Sequence, residues 1–250
     1  MRSITAVSVL FLIALVTFGC SVMYGIPVTP DDAVCHAESV TEQSDTYEWL
    51  CYDTNGHLSR QTLEMHVDSS VKSDVLRQGT VLVKAPILLV DPEDPYVVKV
   101  ADHILSVIGD GTDYQKLSAA LCFVQKAIRY TSDEDLYGTD EYWSTPSETL
   151  RYHAGDCEDT SVLLISILGA MGIDSVLLDY PGHEAVGAYI DSAQDYLYCE
   201  TASDMILLPG QCVHEGEPDI YVPGEFSPLK ESVNGAVAAY RDFIKRVTGA

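Results

Sequence analysis

Cys157 is the residue in this chain best placed to do covalent chemistry. It follows Tyr152-His153-Ala154-Gly155-Asp156, a glycine-containing turn, and leads into an apolar stretch, Thr160 to Met171, that reads as a helix. The first turn of a helix has N–H groups without intrahelical partners and roughly half a positive charge. For a thiol there, this predicts a lowered pKa and more of the nucleophilic thiolate. Such a nucleophile needs a base, and the base a group that orients it. His183 stands at the start of the strand-like segment His183–Ile190, and Glu200 closes the next one, Tyr196–Glu200. Neighbouring antiparallel strands can set these two side chains together. Asp191 and Asp195 are other acids nearby, but both belong to the hairpin loop, where solvated acids are common. Cys157, His183 and a carboxylate could also ligate a metal ion.

The elements that must position these residues are legible from local signals. Thr145-Pro146-Ser147-Glu148 is a capping box with Pro at the first helical position, and it opens a short helix, Pro146 to Tyr152, that leads to the Gly-Asp-Cys turn. The cysteine helix is apolar nearly all round through Val162, Leu163, Leu164, Ile165, Ile167 and Leu168, which places it at the centre of a core. Asp94-Pro95 opens an earlier helix that runs to Gly109, and a second begins after Asp113, with Cys122 among its packing residues. Thr131 to Asp140 reads as an acidic loop without the glycine-centred spacing of an EF-hand. Upstream, Asp53-Thr54-Asn55-Gly56 between two alternating runs predicts a β-hairpin. His57 and His66, in the same region, read as surface histidines.

Four segments in this order resemble the transglutaminase-like (papain-like) superfamily, in its archaeal and bacterial membrane-associated branch. They are Phe123-Val124-Gln125 with Tyr130, Tyr142 to Leu150, Gly155-Asp156-Cys157-Glu158-Asp159, and Pro181-Gly182-His183. The resemblance covers about residues 120–205. It implies an α+β fold, a papain-like core in which the Cys-bearing helix packs on an antiparallel sheet. It also implies acyl transfer through a thioester, with Cys157 as nucleophile, His183 as base and Glu200 in the place the family usually gives to Asp. Trp143, Tyr142 and Gln125 are the candidate oxyanion or substrate contacts. The bacterial cysteine proteinases of this superfamily carry a similar Asp-Cys-Glu-Asp motif whose flanking acids can bind calcium, and Asp156 and Glu158 match in position, with Asp159 beside them. The alternative is local: Asp156 caps the helix and Glu158 stabilises its positive end. No other cofactor is implied. Hydrolysis of a protein or peptide substrate is favoured over amine transfer, because no sequence corresponds to the accessory domains of the animal cross-linking enzymes. A catalytically idle binding or scaffold module is the rival, motivated by Glu in the third place.

Composition sets the surroundings. Thirty-eight acids against 14 Lys and Arg give a net charge of −24, which argues against nucleic-acid binding, a process that needs basic surface. Residues 4–26 carry no charged side chain and follow Arg2. Such a run can span a bilayer and reads as a signal-anchor at residues 1–26, with the body held outside the cytoplasm at the cell membrane. A cleaved signal peptide, and so a secreted protein, is the alternative. A lipobox at Thr17-Phe18-Gly19-Cys20 fits less well, with Thr three residues before the cysteine. Residues 27–92 then read as a linker and a small β-rich appendage, and 93–250 as the domain that the resemblance makes transglutaminase-like, with its core at 120–205 and a closing helix at 228–247. Outside the cytoplasm disulfides can persist; Cys35 with Cys51 is the pairing to test, and free, semi-buried thiols are the alternative.

Overall fold

The computed structural model describes residues 45–68, 86–211 and 214–224. The expected anchor, the closing helix at 228–247 and Cys35 lie outside them. Among the described residues no helix is long and apolar enough to cross a membrane.

Strands β1 (Thr46–Tyr52) and β2 (Leu58–Glu64) form the expected antiparallel hairpin. Asp53 sets its turn: one carboxylate oxygen accepts the N–H groups of Asn55 and His57, and Gly56 supplies the positive φ. Tyr47, Trp49 and Cys51 alternate inward along β1 and join the same core as the helices. Trp49 meets Phe123 edge-on with ring centroids 5.0 Å apart, and the Tyr47 hydroxyl donates to the Leu150 carbonyl at 2.8 Å. Cys51 is a free, buried thiol in hydrogen-bond contact with Cys122.

Helices α1 (Pro95–Ile108), α2 (Asp113–Ala127) and α4 (Pro146–Tyr152) begin at the caps that their sequences encode. Asp94 accepts the N–H groups of Tyr96 and Val97, and Thr112 with Gln115, like Thr145 with Glu148, makes a reciprocal capping box. The expected acidic loop differs. Asp133–Tyr137 is a short helix, α3, capped by Ser132 and ended by Gly138 at φ 71°. A two-stranded parallel pair joins β3 (Arg129–Tyr130) to β4 (Ala154–Gly155) just before the cysteine helix α5 (Cys157–Ala170).

The main sheet has the order β7-β6-β5-β8, antiparallel throughout, from β5 (Ser175–Tyr180), β6 (His183–Ile190), β7 (Asp195–Cys199) and β8 (Asp219–Tyr221). Leu177, Val186, Ala188 and Ile190 belong to the main core with Leu163, Leu164 and Ile167 of α5. Val176, Leu178, Tyr180, Ala185 and Tyr198 alternate to the opposite face and form a second cluster with Ile220. Each fully buried Leu or Ile contributes about 1.5–3 kcal/mol, so α5 is held rigidly from all sides. The fold is α+β, with the Cys-bearing helix packed on an antiparallel sheet.

Candidate active site

The turn before Cys157 is fixed by its neighbours. Helix α4 ends at His153, which takes a left-handed conformation (φ 49°) and stacks on Tyr47 at 3.9 Å. The chain then pairs with β3, where the Arg129 N–H donates to the His153 carbonyl and the Thr131 N–H to the Gly155 carbonyl. Gly155 is required by close approach, because a Cβ there would lie 2.7 Å from Asp159 Cβ. Asp159 is buried and accepts the Ser144 N–H at 2.7 Å and the Ser144 hydroxyl at 3.0 Å. It thus ties the loop before α4 to the first turn of α5.

Cys157 is half-buried at the start of α5. Its thiol donates to Glu158 Oε2 at 3.1 Å, and its sulfur accepts the main-chain N–H of Glu184. Burial, then the charge of Glu158 and the hydrogen bond to it, push the thiol pKa well up, with a smaller contribution from Asp156; only the Glu184 N–H pulls it down. The lowered pKa expected from the helix terminus is therefore corrected. Roughly half a positive charge spread over a helix end is outweighed by a full negative charge in hydrogen-bond contact and by desolvation.

His183, the first residue of β6, hydrogen-bonds through Nε2 to Glu200 Oε2 at 2.9 Å. Glu200 lies one residue beyond β7. Continuing the register from the Val186–Cys199 pair puts it opposite Ala185, so it reaches His183 diagonally. Diagonal neighbours are about 7–8 Å apart between backbones, a span that suits the longer arm of Glu. Tyr198 donates its hydroxyl to the same oxygen at 2.8 Å, and the Ala202 N–H holds Oε1 at 3.0 Å. Burial alone would raise the Glu200 pKa, but the His183 bond and charge, the Tyr198 hydroxyl and the Ala202 N–H together bring it below the ordinary value. An ionised Glu200 makes His183 Nε2 the donor and leaves Nδ1 as the acceptor. The structure thus joins His183 to Glu200, but hydrogen-bonds Cys157 to Glu158 and to the main chain next to His183, not to the imidazole.

Around the thiol lies a cluster of carboxyl groups. Asp133, Asp156 and Asp159 present oxygens within 4.8 Å of one another, and so do Asp133, Glu141 and Glu158. Asp156 occupies the N-cap position of α5 but makes no capping hydrogen bond, so the local role expected for it is absent. Its Oδ1, with Asp133 Oδ1 and Glu184 Oε2, is buried without a hydrogen-bond partner. Desolvation, reinforced by the neighbouring acids, raises Asp133 to about 6, Asp159 to about 7, Glu184 to about 9 and Asp156 to about 10. Asp133 and Asp156 thus bring buried, unpartnered oxygens to a group of converging carboxyls, the kind of donor set that a hard cation such as calcium takes. The residues fit that ion.

The three expected oxyanion contacts have other partners. Trp143 Nε1 donates to Glu141 at 2.7 Å. Tyr142 gives its hydroxyl to Glu148 at 2.8 Å and its N–H to Asp133. Gln125 is buried; its amide donates to the Glu200 and Leu207 carbonyls at 2.6 and 3.3 Å and accepts the Leu207 N–H at 3.1 Å. It braces the segment that carries Glu200. Sequence reasoning missed Asp133, Glu184 and Tyr198. An acid at the second position of an otherwise apolar strand was the available signal for Glu184, and Asp133 stands three residues after Tyr130, between two of the segments that carry the resemblance. Tyr198, an inward aromatic two residues before the acid, gave no signal distinct from packing.

The sequence matches no family model and no curated protein. Among solved structures it is similar to Legionella pneumophila LapG, EGTA-treated (16% identity, 62% of this chain, 97% of that one, TM-score 0.43). It is similar also to the calcium-bound LapG of the same organism (15%, 61% of this chain, 90% of that one, TM-score 0.39). A candidate cysteine protease from Cytophaga hutchinsonii is a third (14%, 76% of this chain, 79% of that one, TM-score 0.36).

Proposed function

We propose that this chain is a cysteine-dependent amide hydrolase acting on protein or peptide substrates. The observation that carries the proposal is the His183–Glu200 bond at 2.9 Å, fixed by Tyr198 and Ala202, at the end of β6 where the Glu184 N–H meets the Cys157 sulfur. In the reaction His183 takes the thiol proton through Nδ1 while Glu200 holds the imidazole and stabilises its charge. The Cys157 sulfur adds to the substrate carbonyl, and the N–H of Cys157, at the open end of α5, stabilises the oxyanion. His183 returns the proton to the departing amine, leaving a thioester on Cys157. It then takes a proton from water, whose hydroxide displaces the sulfur and releases the acid. Asp133, Asp156 and Asp159, with Glu141 and Glu158, would hold calcium. The ion would supply positive charge to a pocket whose carboxylates otherwise oppose the thiolate. Residues 4–26, mostly apolar and without a charged side chain, support a membrane-tethered setting outside the cytoplasm.

One observation favours the idle-module reading instead: the thiol is bonded to Glu158 and not to His183. Digestion of denatured casein by the protein and its Cys157→Ala variant, with calcium and with EGTA, separates the two. Peptide release that requires Cys157 supports the hydrolase. Equal release, or none in either buffer, supports the idle module.

A further inference from the structure

His214 lies outside every sequence motif, yet it touches the candidate catalytic pair in two ways. Its ring stacks on the His183 ring, with centroids 5.1 Å apart and planes 25° from parallel. Its main-chain N–H donates to the Tyr198 hydroxyl oxygen. That hydroxyl donates to Glu200 Oε2, the oxygen that also holds His183 Nε2. Tyr180, the cross-strand partner of His183, packs on the same group, with ring centroids 4.6 Å from His214 and 6.5 Å from Tyr198. His214 therefore connects to both ends of one hydrogen-bonded chain: to the imidazole by its ring and to the carboxylate by way of Tyr198.

We propose that His214 is a positioning residue for His183: its ring covers one face of the imidazole and shields the His183–Glu200 hydrogen bond from water. This rests on the hydrolase reading for its purpose but not for its test. His183 and Glu200 are only partly buried, with side chains 19% and 13% exposed. A bond in that position exchanges its proton with solvent unless something flat and fitted lies over it. The backbone around His214 can deliver the Tyr198 contact with any side chain, so substitutions at 214 isolate the contribution of the ring. Stacking between flat rings contributes modestly, which corresponds to about a threefold to tenfold change in the population of the ordered imidazole.

The test is proton NMR of the full chain labelled with 15N-histidine, following the His183 Nε2–H in wild type, His214→Ala and His214→Phe, with His183→Ala to assign the signal. The proposal expects an observable, slowly exchanging signal in wild type. In His214→Ala its exchange with water should be about threefold to tenfold faster, and in His214→Phe, which keeps a flat ring, it should return towards wild type. Unchanged exchange in His214→Ala, no slowly exchanging signal in wild type, or failure of Phe to restore it would overturn the proposal. Iodoacetamide labelling of Cys157 on the same samples, in calcium, reads the hydrolase proposal separately. If Cys157 labels no faster than N-acetylcysteine while the exchange pattern holds, the catalytic reading fails and the positioning role stands.

Discussion

Replacing Glu158 by Gln should make Cys157 more reactive in metal-free buffer. The thiol donates to the Glu158 carboxylate at 3.1 Å, so charge and hydrogen bond both favour the protonated sulfur. Two unit charges at that separation repel by about 5 kcal/mol at an effective dielectric of about 20, and by about 1 kcal/mol in bulk water. Both side chains are half-buried, and screening by solvent puts the working value towards the lower figure. At about 1.4 kcal/mol per unit, the thiol pKa should fall by about one to two units. A less basic thiolate is also a poorer nucleophile, with a Brønsted coefficient of about 0.4–0.5, so the net gain in rate near neutral pH is about threefold to tenfold. The assay is exchange with an aromatic disulfide at pH 7 in EGTA, with the Cys157→Ser background subtracted. A rate in Glu158→Gln equal to or below that of wild type would refute the electrostatic account of the thiol.

The carboxyl cluster predicts an inverted pH dependence of stability. Asp133, Asp159, Glu184 and Asp156 keep their protons in the folded state to about 6, 7, 9 and 10, whereas unfolded carboxyls release them near about 4. Between these limits the folded state binds more protons, so stability falls as pH rises. Metal-free protein should show a higher Tm at pH 5.5 than at pH 8.5 by scanning fluorimetry, and calcium should raise the Tm most at pH 8.5; a flat or rising profile in EGTA would count against it. Glu200→Asp should cut casein hydrolysis about tenfold to hundredfold, because the shorter arm cannot keep all of the His183, Tyr198 and Ala202 contacts. Wild-type turnover in that variant would mean the diagonal register is not what selects Glu. Gly155→Ala should cost about 1–3 kcal/mol in urea unfolding, since its Cβ would meet Asp159 at 2.7 Å; an unchanged midpoint would show that the turn can move.

What the sequence made legible was local. Asp94-Pro95 and Thr145-Pro146-Ser147-Glu148 encode their helix starts within four residues, and Asp53 to Gly56 encodes its turn, so those elements lie where expected. His183 and Glu200 were recognisable as partners because two alternating strands joined by a short loop fix which residues share a face. The thiol was misread because a helix terminus is visible in sequence, while the approach of Glu158 and the burial that opposes it exist only after folding. Gln125 was legible as a polar residue in a packed helix but not as a brace, since its partners are more than 70 residues away. Asp133 read as one acid in an acidic loop; only the packing of β3 and α3 against the cysteine turn buries it.

The most direct test of the central claim is the pH–rate profile of Cys157 alkylation, read by intact mass after short iodoacetamide pulses between pH 5 and 9 in calcium. Wild type and His183→Ala would be compared. The account predicts fast labelling at Cys157 on the acidic side of the range, lost without His183. Equal, slow labelling of both proteins across the range would contradict the assignment of Cys157 and His183 as a working pair.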